Sequence, residues 1–169
     1  MYKEREWNDK HLISYMESHD EERASYKIKT YGNASGGYDT KTLATRADRI
    51  IQASAFFYTI PGPKMIYMFE ELGYDISIDN PCRVCEKPIL WNYYNDQHRQ
   101  KIYFYMASMM DMRKKYDVFN TSNFTYALNG SSKRINLNGA SMQATVVGNF
   151  AVTQKDVYPN FQHTGTWYD

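Results

Sequence analysis

The sequence predicts an α/β chain that gives way to antiparallel β structure, with the boundary near residue 119. Three observations predict it. Two short apolar runs, His11–Met16 and Met65–Phe69, each lead into acidic residues and are each followed by a helical pattern. After Phe119 the helical periodicity vanishes, and two Asn-Gly pairs separate short strand-like runs. The chain has 169 residues, one domain or two small pieces, and a complete eight-stranded α/β barrel needs roughly 250.

The elements follow in order. His11-Leu-Ile-Ser-Tyr-Met16 reads as a buried strand ending at about residue 17. A dense polar cluster, Glu17 to Arg23, comes next, and Tyr31 to Gly37 is a loop by composition. Thr40 or Thr42 is placed to cap a helix over about residues 42–59, with Leu43, Ala47, Ile50, Ile51, Ser54 and Phe57 on one face. Pro61-Gly62-Pro63 stops it, because proline cannot continue a helix. Residues 64–69 hold five consecutive apolar or aromatic residues, as a parallel strand covered on both faces does. Gly73 to Pro88 reads as a long loop. Asn95 or Asp96 caps a second helix running to about Tyr116, and its Met106, Met109 and Met110 are core filling. Residues 120–169 read as antiparallel β, with strands near 124–128, 134–137 and 141–147. The βαβα order implies parallel strands with right-handed crossovers.

Composition excludes several functions. Lys+Arg number 20 against 19 Asp+Glu, a net charge of +1, so there is no basic field for nucleic acid. No apolar run approaches the ~18 residues of a membrane span. The aromatic share is 16%, with 16 tyrosines, which suits half-buried sheet and core positions. Cys82 and Cys85 stand alone between Pro81 and Pro88. A zinc site needs about four ligands, so two incidental thiols or a local disulfide is the expectation.

Ser18-His19-Asp20 invites a catalytic-triad reading. Neighbours in a strand point to opposite faces, and a triad assembles residues distant in sequence, so that reading is set aside. No nucleophile elbow, P-loop or dinucleotide fingerprint occurs. A His beside an Asp at the end of an apolar strand is nonetheless an expensive place for polar groups without a use.

Met16-Glu-Ser-His-Asp-Glu-Glu-Arg23 resembles the fourth signature region of glycoside hydrolase family 13, the α-amylase family. Pro61 through Glu70 is similar to that family's eighth barrel strand, Pro88-Ile-Leu-Trp91 to the loop after it, and the terminal hairpins to its closing β-sandwich. Phe69 stands where the family often has Gly, and Ser18 where Asn is commoner. The resemblance implies a partial TIM barrel, the last two βα units, in residues 1–119. Residues 120–169 become part of the C-terminal β-domain. It implies an α-glucan substrate, with Asp20 as transition-state stabiliser and His19, Glu70 and Trp91 as substrate-binding residues. Arg23 is expected to pair with Glu21 or Glu22. The nucleophile and acid/base carboxyls of the family fall upstream of these residues, so the chain alone is expected to be inactive. Unpaired strand edges predict an oligomer of the isolated chain. No cofactor is implied here; the resemblance allows a structural calcium only in the part of the family's fold that these residues lack. The alternative reading is a stand-alone, non-catalytic carbohydrate-binding or structural module.

Overall fold

The computed structural model describes all residues, Met1–Asp169. Three helices pack together: α1 (Ala24–Tyr31), α2 (Leu43–Thr59) and α3 (Gln97–Lys115). α2 follows its predicted stripe, burying Ala47, Ile50, Ile51, Ser54 and Phe57, and ends at Ile60 ahead of Pro61. Asp96 caps α3, its carboxylate accepting the His98 and Arg99 N–H groups. Ile102, Met106 and Met109 meet Ile50, Ile51 and Tyr58 in the core between α2 and α3. α1 was not expected. Its segment, Ala-Ser-Tyr-Lys-Ile-Lys-Thr-Tyr, has no wide apolar stripe, and only Ser25 is fully buried. A two-residue hairpin, β1 (Ala34–Ser35) with β2 (Tyr38–Asp39), links α1 to α2, turning at Gly36 with φ 58°.

The two expected parallel strands are reduced to one parallel bridge, Ser14 with Lys64. The Ser14 N–H donates to the Pro63 carbonyl at 3.0 Å, and the Met65 N–H to the Ser14 carbonyl at 2.9 Å. No ladder extends beyond it, and no barrel closes. An isolated two-stranded pairing is marginal and a parallel one weaker still, and here each run has only the other. Residues 11–16 alternate exposed and half-buried, leaving Ile13 and Tyr15 in solvent.

The β region is a three-stranded antiparallel sheet of β3 (Phe124–Ala127), β4 (Ser132–Asn138) and β5 (Gln143–Asn149), in that spatial order. Phe124 faces Leu137, and Leu137 faces Ala144. Both Asn-Gly signals mark hairpins. Asn129-Gly130 lies within the first connection, where Gly130 takes φ 70°, and Asn138 closes the ladder before the second. Ile135 and Leu137 face Phe56 of α2, along with Val118, Phe119 and Tyr2. A side chain at Gly148 would come within 2.7 Å of the Phe56 ring, so sheet and helix touch there without a spacer. Beside it, Arg49 donates to the Asn149 carbonyl at 3.1 Å and to that of Ala151, and Gln52 to the Asn149 carbonyl at 3.0 Å.

Residues 150–169 form no strand, which corrects the expectation of β structure through residue 169. Side chains hold this segment instead of a ladder. Asn136 donates to the Pro159 carbonyl at 3.1 Å, and Gln162 to the Leu137 carbonyl at 3.1 Å. Asn136 and its cross-strand partner Thr145 project to the sheet face opposite Ile135 and Leu137, so the segment covers that face rather than extending an edge.

Candidate functional site

Local hydrogen bonds build the segment after Met16. Glu17 turns inward, 2% exposed, and its Oε1 accepts the Ala24 N–H at 2.8 Å, supplying an acceptor to the start of α1. The Ser18 hydroxyl accepts the Asp20 N–H at 3.1 Å and donates to the Glu21 carboxylate. That tight turn thrusts His19 and Asp20 outward. Their side chains are 76% and 72% exposed, with His19 Nε2 3.4 Å from Asp20 Oδ2. A strand would have separated them; the turn brings them together. Ser18 is occupied by Glu21, so no Ser–His relay exists.

His19 and Asp20 open onto a cavity of about 300 Å³ whose walls include Arg23, Tyr67, Arg83 and Lys87. Arg83 donates to the Asp20 carbonyl at 2.5 Å. The His19 ring lies 6.5 Å from that of Tyr67. Cys82 and Cys85 form a disulfide, one of the two states the sequence left open, and Cys85 belongs to the cavity wall. Trp91 does not line this cavity; it is 74% exposed with its ring set edgewise against Phe69, centroids 4.9 Å apart.

Beneath the turn lies a buried group of charges. The Arg23 guanidinium stacks on Tyr67 at 4.3 Å and faces Tyr74 at 5.2 Å. Its Nη1 lies 3.6 Å from Glu17 Oε2, so Arg23 pairs with Glu17 and not with Glu21 or Glu22, correcting the expectation. Glu22 instead accepts the Ser77 hydroxyl at 2.7 Å and the Ile78 N–H at 2.9 Å, fastening the long loop. Glu70 is 1% exposed; its Oε2 accepts the Tyr67 N–H at 3.1 Å across a turn in which Phe69 takes φ 58°. Burial pushes the Glu70 carboxyl up to about 8, with nearby Glu17 adding to the rise. Burial likewise pushes Glu17 up to about 7, against the Ala24 hydrogen bond and Arg23. Glu17 Oε2, Glu70 Oε1 and Arg23 Nη1 are buried without hydrogen-bond partners in the protein.

The structure therefore joins His19 and Asp20 at the surface, sets Glu70 in the interior and stands Trp91 apart. Sequence reasoning missed Glu17, Arg83 and Asp75. Asp75, 6% exposed, accepts from Arg46 at 3.0 Å, Arg99 at 3.1 Å and the Tyr93 hydroxyl at 2.5 Å. Lys29 stands 3.4 Å away. The one available signal was Glu17, a carboxylate continuing an apolar run. No set of three or more His, Cys, Asp or Glu side chains is arranged to hold a metal ion, and no helix is long and apolar enough to cross a membrane. No protein-family model matches the chain, and a search of curated proteins finds no similar sequence.

Proposed function

We propose that the chain carries the last two βα units of an α-amylase-like retaining glycoside hydrolase that acts on α-glucans, followed by part of its C-terminal β-domain. The observation that carries this reading is the parallel bridge between Ser14 and Lys64. α2 joins the two runs and α3 follows the second. Running parallel, both deliver their acidic ends, Glu17 to Asp20 and Glu70, to one side. In α/β barrels that side hosts the chemistry. The resemblance of the Glu17–Arg23 segment to the family's His-Asp signature gives those ends their roles.

In a retaining glycosidase, a nucleophilic carboxylate and an acid/base carboxyl flank the bond about 5–5.5 Å apart. Neither is assigned here. Asp20 acts as the third carboxylate: exposed, it accepts hydrogen bonds from sugar hydroxyls and favours the positive charge of the oxocarbenium-like transition state. His19, 3.4 Å away, donates to a hydroxyl of the same sugar. Glu70, inside, contacts no sugar directly; it holds the Tyr67 backbone below the His19 ring.

Kinetics in the longer enzyme test this assignment. Asp20→Asn is expected to lower kcat by ~10²–10³ while KM changes little, since the interaction strengthens only in the transition state. A kcat near wild type would reduce the turn to a solvated loop. The chain alone, incubated with starch, pullulan and an aryl α-glucoside, is expected to release neither reducing sugar nor phenol. Release that Asp20→Ala abolishes would make it a small glycosidase in its own right.

A further inference from the structure

A covalent clip sits beside His19 and Asp20. The Cys82 and Cys85 Cα atoms are 5.1 Å apart, and the Cys85 N–H donates to the Cys82 carbonyl at 3.2 Å. Arg83 and Val84 are thus the central residues of a closed β-turn. Val84 points away, 95% exposed. Arg83 points back: its Nη2 reaches the Asp20 carbonyl at 2.5 Å, and its Nη1 lies 3.8 Å from Asp79. Residues 18–20 receive no other hydrogen bond from outside their own segment.

The ends of the loop are fastened independently of the sulfurs. Glu22 holds Ser77 and Ile78, and the Tyr74 hydroxyl donates to the Pro88 carbonyl at 2.7 Å. Between these anchors, the turn carrying Arg83 depends on the disulfide, one backbone hydrogen bond and the Lys87 ammonium. Lys87 donates to the carbonyls of Ile78, Asn80 and Cys82. Arg83 is 55% exposed, so a loose turn would return rotamer freedom to a long side chain and weaken its hold on Asp20.

We propose that Arg83 is a positioning residue for the His19–Asp20 turn and that the Cys82–Cys85 disulfide keeps it in place, so that a dithiol reductant loosens the turn. In the reduction, the Cys82–Cys85 bond breaks and both sulfurs become thiols. The two electrons and two protons come from the dithiol, which leaves as its own disulfide. That the turn positions a sugar-binding pair rests on the reading of Asp20 above; the mechanical link between Arg83 and the turn does not.

Amide hydrogen exchange on the intact 169-residue chain, without sugar, tests the link. Arg83→Ala is expected to speed exchange of the Asp20 amide, the one N–H of residues 18–22 that is hydrogen-bonded, about five- to tenfold, the scale of one charge-assisted hydrogen bond. Dithiothreitol acting on the wild type should give the same acceleration, and acting on Arg83→Ala should add nothing. Arg83→Lys should restore part of the protection, and the His19 ring resonances should shift with each loss. Unchanged exchange in Arg83→Ala would overturn the proposal. So would a reduction effect that persists in Arg83→Ala, or acceleration spread over α2 and α3. With no ligand present, these outcomes are separate from the Asp20→Asn kinetics.

Discussion

Asp75 and Glu70 are both buried carboxyls, 6% and 1% exposed, yet they end in opposite states. Burial pushes each toward the neutral acid. At Asp75 that push is overcome by the Tyr93 hydroxyl, Arg99, Lys29 and Arg46, which together hold the carboxyl below its ordinary range. At Glu70 only a backbone N–H and the shared Arg23 oppose it, and Glu17 pushes the same way, so the carboxyl rises to about 8. One cluster is a lock, its carboxylate held by four partners, that ties α1, α2 and α3 to the long loop. The other is under-compensated and sits directly below the exposed His19–Asp20 pair. Compensation marks where the fold is fastened; its shortage marks where the molecule keeps charge in reserve.

Breaking the lock should cost the most stability. Asp75→Asn leaves two buried guanidinium groups without their carboxylate and is expected to lower stability by about 3–5 kcal/mol at pH 7 in urea unfolding. Asp75 titrates lower in the folded chain than in the unfolded one. Its contribution is therefore present above the ordinary aspartate range and lost as pH falls through the folded value, so wild type and variant should converge in acid.

Glu70→Gln should act in the opposite sense. Its carboxyl rises from 4.5 to about 8 on folding. The folded chain holds a proton that the unfolded chain releases, so stability is full below about 4.5 and declines as pH rises through about 8. The amide removes that decline. The variant should match wild type at pH 4 and exceed it at pH 9 by on the order of 5 kcal/mol. Equal pH slopes in the two proteins would show that Glu70 is ionised throughout and that the contrast with Asp75 is wrong. The smallest effect belongs to a surface control. Asp48 and Lys101, 2.7 Å apart, are 57% and 50% exposed, and Asp48→Ala should change stability by at most ~0.5 kcal/mol, less in high salt.

Much of the framework was legible because it rests on local chemistry. The spacing of Ala47, Ile50 and Ser54, the stop at Pro61 and the Asp96 cap each act within a few residues, and the Asn-Gly turns do the same for the hairpins. α1 escaped because its start leans on Glu17, seven residues before Ala24, rather than on an apolar stripe of its own. Residues 150–169 looked like strands by composition but attach through the side chains of Asn136 and Gln162, which no periodicity encodes. The His19–Asp20 pair was visible as adjacent letters. The partners of the buried charges were not: Arg46 and Arg99 reach Asp75 across 29 and 24 residues, and only the packing of α2 against α3 brings them there.

The contacts of Arg49 and Gln52 with the backbone at Asn149 and Ala151 have a mechanical meaning. With Phe56 lying flush on Gly148, they leave the sheet no hinge at the change of character near residue 119. A torque on the sheet passes straight into α2. At the far end of α2, Arg113 grips the carbonyls of Tyr58, Ile60 and Gly62, and the next residues, Pro63 and Met65, bond to Ser14. The sheet thus behaves as a handle mounted on the segment that runs through Ser14 to the His19–Asp20 turn. Loosening its grip would be felt as slack at the Ser14–Lys64 bridge.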